Sequence, residues 1–287
     1  MPPAWSGTRI SPAAGIFPIL VKFIFAQEKL SVQVHPDDAY AAEHEKNKGG
    51  RGKTEMWYAI DANPGAEVLV GLKPEVTAQQ FKQSITSEGV EDFFQHIPLH
   101  PGEVMFVPAG TAHTIGAGLV LCEIQQNSDL TYRVYDYGRR DASGKPRELH
   151  LEKAFGVTRF GPQLGGKISP ATVDNHGTKK TFFVACPYFA TERWQFAAPI
   201  SSQSSPEHFE LWIILEGSGS IRWSAESAAF APAQVWMIPA ALGRFEFSPT
   251  SSTTILRTFV PSDLAAVAAD WTSQGITKSD AARLVFP

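Results

Sequence analysis

Between residues 17 and 159, short apolar runs alternate with clusters of Pro, Gly, Asn and Asp: PILVKFIF, KLSVQVH, EMWYAI, AEVLVGL, EVMFVP and LVLCEIQ. Runs of this length, rich in Val, Ile, Phe and Tyr and broken this often, predict the strands of a barrel or sandwich. Two stretches predict helix instead. Residues 36–46 open with Pro-Asp-Asp, which sets carboxylates at the end where a helix carries partial positive charge. Residues 77–96 begin at Thr77, a good N-cap, and Phe81, Ile85, Val90, Phe93 and Phe94 supply an apolar face. Residues 161–180 carry Gly, Pro and polar side chains without periodicity, the pattern of a linker. Strand-like runs resume in TFFVACPYFATERWQF, FELWIILEG, GSIRW, QVWMIPA, GRFEF and TTILRTFV, and residues 262–282 are Ala-rich with helical spacing.

The two strand-rich regions repeat each other. PGEVMFVPAGTAH at residues 101–113 aligns without gaps with PAQVWMIPAALGR at residues 232–244, and EMWYAI from Glu55 resembles ELWIIL from Glu210. Such self-similarity predicts two related domains: residues 1–160 with a helical insertion, a linker at 161–180, and residues 181–287. The copies have diverged where it matters. His113 in the first stands opposite Arg244 in the second, and the second lacks a Gln-Val-His segment. The first domain is therefore expected to hold a metal and the second is not.

Composition narrows the functional classes. A chain of 287 residues can bury a full core in two modest domains. The formal net charge of -4 provides no global basic field, which argues against a nucleic-acid partner. Cys122 and Cys186 sit in apolar runs and read as small buried hydrophobes rather than a disulfide framework. The N-terminal MPPAWSGTRISPAAG lacks a basic region followed by an apolar one, and the early apolar stretch at residues 16–25 is far shorter than the ~20 residues of a membrane helix. The expectation is a cytoplasmic protein with no membrane partner.

The candidate chemistry lies in the first region. Gly102, Pro108, Gly110 and His113 match the spacing of the second cupin motif, in which Gly and Pro shape a sharp turn and a histidine on the returning strand points into a small barrel. Gln33 and His35 lie two apart on a predicted strand, so both face the same side. Glu55 opens another strand. Two imidazoles, a carboxylate and an amide oxygen form a mixed nitrogen and oxygen donor set, suited to zinc or another first-row divalent ion and needing no cysteine. The expected fold is all-β dominated: two cupin-type jelly-roll barrels with a few short helices.

KLSVQVHPDD, GKTEMWY, VPAGTAH and QQNSDLTYRVYDYGR, followed by PRELHLEKA, resemble the type I mannose-6-phosphate isomerases in their compact bacterial form. The similarity runs over residues 17–154 and continues more weakly beyond. It departs at the start, where members of that family carry several dozen more residues and sixteen precede Phe17 here. The resemblance implies that Gln33, His35, Glu55 and His113 bind one zinc ion, that Arg133 is an active-site arginine and that Lys53 lines the pocket. It implies interconversion of mannose 6-phosphate and fructose 6-phosphate, with a proton moved between C1 and C2 through a cis-enediol(ate). Arg133 and Lys53 are candidates both for stabilising charge on the reacting oxygens and for holding the phosphate. For the base, Glu123 is favoured over Asp129 and Lys53. Asp136 and Arg139 read as loop-organising charges, and Trp57 as core. The competing readings are a non-catalytic metal-binding cupin that senses a sugar phosphate, and another cupin enzyme such as a dioxygenase or an isomerase of a related phosphosugar.

Overall fold

The computed structural model describes residues 17–85 and 89–287. Its chain packs as two units, Leu20–Ile168, and Ser169–Pro287 together with residues 17–19. Among the described residues no helix is long and apolar enough to cross a membrane.

The first unit contains β1 (Ile19–Ala26), β2 (Val32–Val34), β3 (Glu55–Ala62), β4 (Glu67–Leu72), β5 (Phe94–Pro98), β6 (Val104–Val107), β7 (His113–Ile115), β8 (Leu119–Gln126), β9 (Tyr132–Tyr135) and β10 (Gly166–Lys167). They form two five-stranded sheets, ordered β1-β8-β3-β6-β10 and β5-β4-β7-β2-β9. Pairing fixes which side chains share a face, because directly opposed residues point the same way and the period along a strand is two. On β3 and β8, Trp57 lies opposite Glu123, Glu55 opposite Gln125 and Ala59 opposite Leu121. The inward positions of β8 therefore read Leu119, Leu121, Glu123, Gln125. Leu119 and Leu121 join Trp57, Ala59, Met105, Val107 and Ile115 in one buried apolar cluster. The interior is thus apolar at one end and polar at the other, and that switch within single strands creates a site.

Three helices complete this unit: α1 (Asp38–His44), α2 (Ala78–Ser84) and α3 (Leu151–Val157). Asp37 caps α1 by accepting from Tyr40 N, and Thr77 forms a capping box with Gln80 at α2. The helix expected over residues 77–96 is shorter than its apolar spacing suggested, and three of those residues, 86–88, lie outside the described ones. Gly89 adopts φ 111°, a 3-10 turn follows at Val90–Phe93, and Phe94–Pro98 becomes β5 paired with β4. Phe81 and Phe94 still meet, at 5.7 Å, but from a helix and a strand.

The second unit contains β11 (Ala171–Asn175), β12 (Thr178–Ala185), β13 (Ala190–Phe196), β14 (Ile200–Gln203), β15 (Glu210–Glu216), β16 (Gly219–Trp223), β17 (Glu226–Phe230), β18 (Val235–Ile238), β19 (Arg244–Pro249) and β20 (Thr253–Phe259). Its sheets run β11-β12-β13-β20-β15-β18 and β14-β19-β16-β17. Trp212, Phe247, Phe230 and Ile255 centre its core. Residues 161–180, expected as a linker, instead hold β10, β11 and the start of β12. β11 is an edge strand with one buried residue, Ala171, so alternation was absent from its sequence. The Ala-rich tail folds as two helices, α4 (Leu264–Ser273), capped by Asp263, and α5 (Lys278–Arg283), with Gly275 at φ 116° between them. Trp271 of α4 is buried against Phe182, ring centroids 5.2 Å apart.

Candidate active site

Gln33 on β2 pairs with His113 on β7 and with Arg133 on β9, so these three side chains project from one sheet face. His35 sits one residue past β2, and Glu55 opens β3 in the facing sheet. His35, Glu55 and His113 bring their ligand atoms within 4.8 Å of one another and are all buried. His35 Nε2 lies 3.3 Å from Glu55 Oε1, and His113 Nε2 lies 3.7 Å from Glu55 Oε2. The Gln33 amide nitrogen is 3.3 Å from His113 Nε2, so half a turn of the amide presents its oxygen to the same point.

Backbone carbonyls set both imidazoles. His35 Nδ1 is 2.7 Å from Leu130 O, and His113 Nδ1 is 2.9 Å from Thr111 O. Each Nδ1–H is donated there, which leaves each Nε2 lone pair directed at Glu55. Carbonyl-held histidines of this kind are the usual outer support of a metal centre. Glycines make the supporting turns possible. Gly110, at φ +85°, donates its N–H to His35 O at 2.8 Å, and a Cβ there would meet Val157 O at 2.9 Å. Gly52 donates to Asp38 Oδ1 at 2.7 Å, and a Cβ on it would press into the Asp37–Asp38 backbone at 2.6 Å. This close approach at the start of α1 aims the next residue, Lys53, inward.

Lys53 is buried, with Nζ against Glu55 Oε1 and 3.2 Å from His35 Nε2. Its ammonium thus lies beside two of the candidate ligands, Glu55 and His35. Burial pushes the Glu55 carboxyl up, but Lys53, His35 and His113 together hold it well below the usual carboxylate range. Burial and then Lys53 push His35 down, and burial pushes His113 down to about 3. Both rings are therefore neutral at physiological pH and free to act as ligands. Glu123 behaves oppositely: burial, then the nearby Glu55 charge, raise it to about 7. Asp129, the other carboxylate weighed as a base, is exposed.

Two participants were not singled out from sequence. Lys22 on β1 donates to Gln125 Oε1 at 2.7 Å and lies 3.3 Å from Glu123 Oε1. Gln125 is anchored by its own amide to Gln126 O and Ser128 O. The available signal for Lys22 was a charge inside the apolar run PILVKFIF. Trp57, read as core, is fully buried but also donates its indole N–H to Glu55 Oε2 at 3.2 Å. Arg133 lies on the ligand-bearing face; its Nη1 donates to Glu148 O at 2.9 Å, while its buried Nε has no partner among the described residues. Asp136 accepts from Arg139 and Arg147, which fits the loop-organising role read for Asp136 and Arg139.

The donor set, carbonyl-held histidines and buried carboxylate fit a divalent cation. Comparison with known proteins decides the family. The mannose-6-phosphate isomerase of Streptococcus mutans is 36% identical over 234 residues, spanning 82% of this chain and 72% of that protein. The chain belongs to the mannose-6-phosphate isomerase family. The crystal structure of the mannose 6-phosphate isomerase from Bacillus subtilis matches with a TM-score of 0.77 at 33% identity, over 84% of this chain and 75% of the other. Phosphomannose isomerase from Salmonella typhimurium, at 17% identity, shares the fold with a TM-score of 0.70 over 90% of this chain and 82% of that one. The sequence model described as the mannose-6-phosphate isomerase cupin domain matches residues 178–259, which are β12 to β20 of the second unit. The family assignment therefore reaches both units, while the metal-type cluster belongs to the first.

Proposed function

We propose that the chain interconverts mannose 6-phosphate and fructose 6-phosphate, using one zinc ion held by Gln33, His35, Glu55 and His113. The observation that carries this reading is the buried His35–Glu55–His113 cluster with both imidazoles held by carbonyls. A bound divalent ion supplies Lewis acidity to the substrate oxygens without redox chemistry. The protein's own groups do the rest. Glu123, beside Lys22 at the polar end of the barrel, takes the proton from C2 and returns it to C1 on the same face of the cis-enediol(ate). Lys53, buried beside the ligands, steadies negative charge developing on the reacting oxygens. Arg133, half-buried on the ligand-bearing face, holds the phosphate.

The direct test is a coupled assay of purified protein with each sugar phosphate, before and after chelation. Chelator-sensitive turnover in both directions is the expected result; folded, zinc-loaded protein without turnover would defeat the reading. Glu123→Gln is expected to lower kcat by about 10² to 10⁴-fold. It should also remove the acid limb of the pH profile. Burial and the Glu55 charge raise this carboxyl to about 7, and a cation neutralising Glu55 would pull it lower. Activity of the unaltered enzyme should accordingly fall as pH drops through a point below 7, as Glu123 takes up a proton and ceases to be a base. Arg133→Ala should retain its metal and raise KM by roughly tenfold or more, the loss of about one charge-assisted contact to phosphate. Loss of metal in that variant would make Arg133 a structural residue instead.

A further inference from the structure

The second unit keeps the frame of the first site and changes its charges. Glu210 opens β15 as Glu55 opens β3, and Trp212 donates its indole N–H to Glu210 Oε2 at 2.7 Å as Trp57 does to Glu55. Glu210 lies opposite Ile238, and Glu55 opposite Val107, in the same register of the repeat. Opposite Trp57 stands Glu123, whereas opposite Trp212 stands Arg257. Arg257 grips both oxygens of Glu210, through Nε at 3.0 Å and Nη2 at 2.5 Å, and pairs through Nη1 with Glu192. With three donors on its two oxygens and a guanidinium charge against it, Glu210 is a poor ligand for a cation. Two residues before Glu210, where the first unit has Lys53, stands His208.

Beside this frame lies a cavity of about 250 Å³, lined by His208, Glu210 and Arg257 and by Glu207, Asp263 and Asp270. It has room for about eight water molecules at ~30 Å³ each, and hence for a hexose-sized solute. Beyond the buried Glu210–Arg257 pair, the lining carries the carboxylates of Glu207, Asp263 and Asp270, so it disfavours anions and favours hydrogen-bond donors. His208 is stacked on Phe259 at 4.4 Å, and among the described residues neither of its buried ring nitrogens has a hydrogen-bond partner. Buried nitrogens are rarely left unpaired. Burial lowers this imidazole to about 4, so at neutral pH it offers one donor and one acceptor, the pair that a hydroxyl group matches.

We infer that this cavity is a second small-molecule site, for a polyhydroxylated molecule without negative charge: an unphosphorylated hexose or hexosamine. Binding turns the His208 ring from Phe259 toward the cavity, where ligand hydroxyls complete its nitrogens and donate to the carboxylates of Glu207 and Asp270. The inference rests on the second unit alone and stands or falls independently of the isomerase reading.

The test is imidazole ¹⁵N NMR of the full chain titrated with mannose, glucosamine and mannose 6-phosphate, the His208 signals being assigned from their loss in His208→Gln. Mannose and glucosamine should shift those signals saturably, glucosamine at lower concentration, and mannose 6-phosphate should act at least about tenfold more weakly. Ala266→Trp, on the exposed face of α4 that lines the cavity, should weaken mannose by at least about tenfold. His113→Ala, which disrupts the other unit's site, should leave the shifts unchanged. If Ala266→Trp does not fold, Asp270→Lys serves in its place and should abolish the preference for glucosamine. No shift with mannose or glucosamine, a shift indifferent to both cavity variants, or equal response to mannose 6-phosphate would each overturn the inference.

Discussion

His113→Ala is expected to lose bound metal and isomerase activity together, with kcat down by about 10³-fold or more. The ring it removes is fully buried and joins Gln33, on the neighbouring strand, to Glu55 in the facing sheet. No nearby side chain replaces its Nε2. Gln33 and His35 flank the gap, but two protein ligands and an amide hold a first-row cation far less tightly than the full set. Lys53, already against Glu55, is then free to pair with that carboxylate permanently. Elemental analysis of the folded variant should therefore find far less than one ion per chain, and the coupled assay should find residual turnover only. If the variant kept full activity without metal, the cation would be dispensable and the site's chemistry would lie elsewhere.

Arg257→Met should destabilise the second unit by about 3–5 kcal/mol. Arg257 holds two carboxylates, Glu192 and Glu210, that are inaccessible to water. A methionine of similar length fills the space but leaves both charges buried and unpaired. By the scaling for domains of this size, the melting temperature should fall by roughly 10–20 °C. The pH dependence has a definite sign. In the natural chain burial pushes Glu210 up, but Arg257 outweighs it and holds Glu210 below its ordinary value. Its contribution is thus fully present above the unfolded carboxylate range and is lost as pH falls through the depressed folded value. In the variant the upward push of burial is opposed by little more than the Trp212 hydrogen bond, so protonation relieves the folded state as the solution is acidified. Urea unfolding near pH 7 and again near ~4.3 should show the gap between the two proteins narrowing at the lower pH. Adding Glu192→Gln and Glu210→Gln to Arg257→Met should recover most of the loss. A gap that widens on acidification would mean that the triad is not what the substitution disturbed.

Both effects were partly legible in the chain before folding. The convergence of His35, Glu55 and His113 could be read because each sits in a short strand-and-turn signature, and a strand's alternation says which neighbours share a face. The repeat EMWYAI and ELWIIL marked Glu55 and Glu210 as equivalent, but not that a tryptophan two residues on serves each carboxylate. That link is a side-chain contact with no periodicity of its own. Lys22 was hidden because an apolar strand with one lysine looks the same whether the ammonium reaches solvent or a buried glutamate. Residues 77–96 misled for a different reason: Phe81 and Phe94 enter one core from a helix and from a strand, so their spacing mimicked a continuous helical stripe. β11 was missed because an edge strand exposed on both faces carries no apolar rhythm, whatever its hydrogen bonds.

The Leu130 and Thr111 carbonyls have one more consequence. Because they fix the tautomer and tilt of His35 and His113 from the backbone, both Nε2 atoms are positioned by the fold itself. A sample stripped by chelator should keep its near-ultraviolet circular dichroism and regain turnover on simple addition of zinc, without passing through denaturant. Cobalt or another ion of similar radius should enter by the same route, making this centre interchangeable in its metal while fixed in its shape.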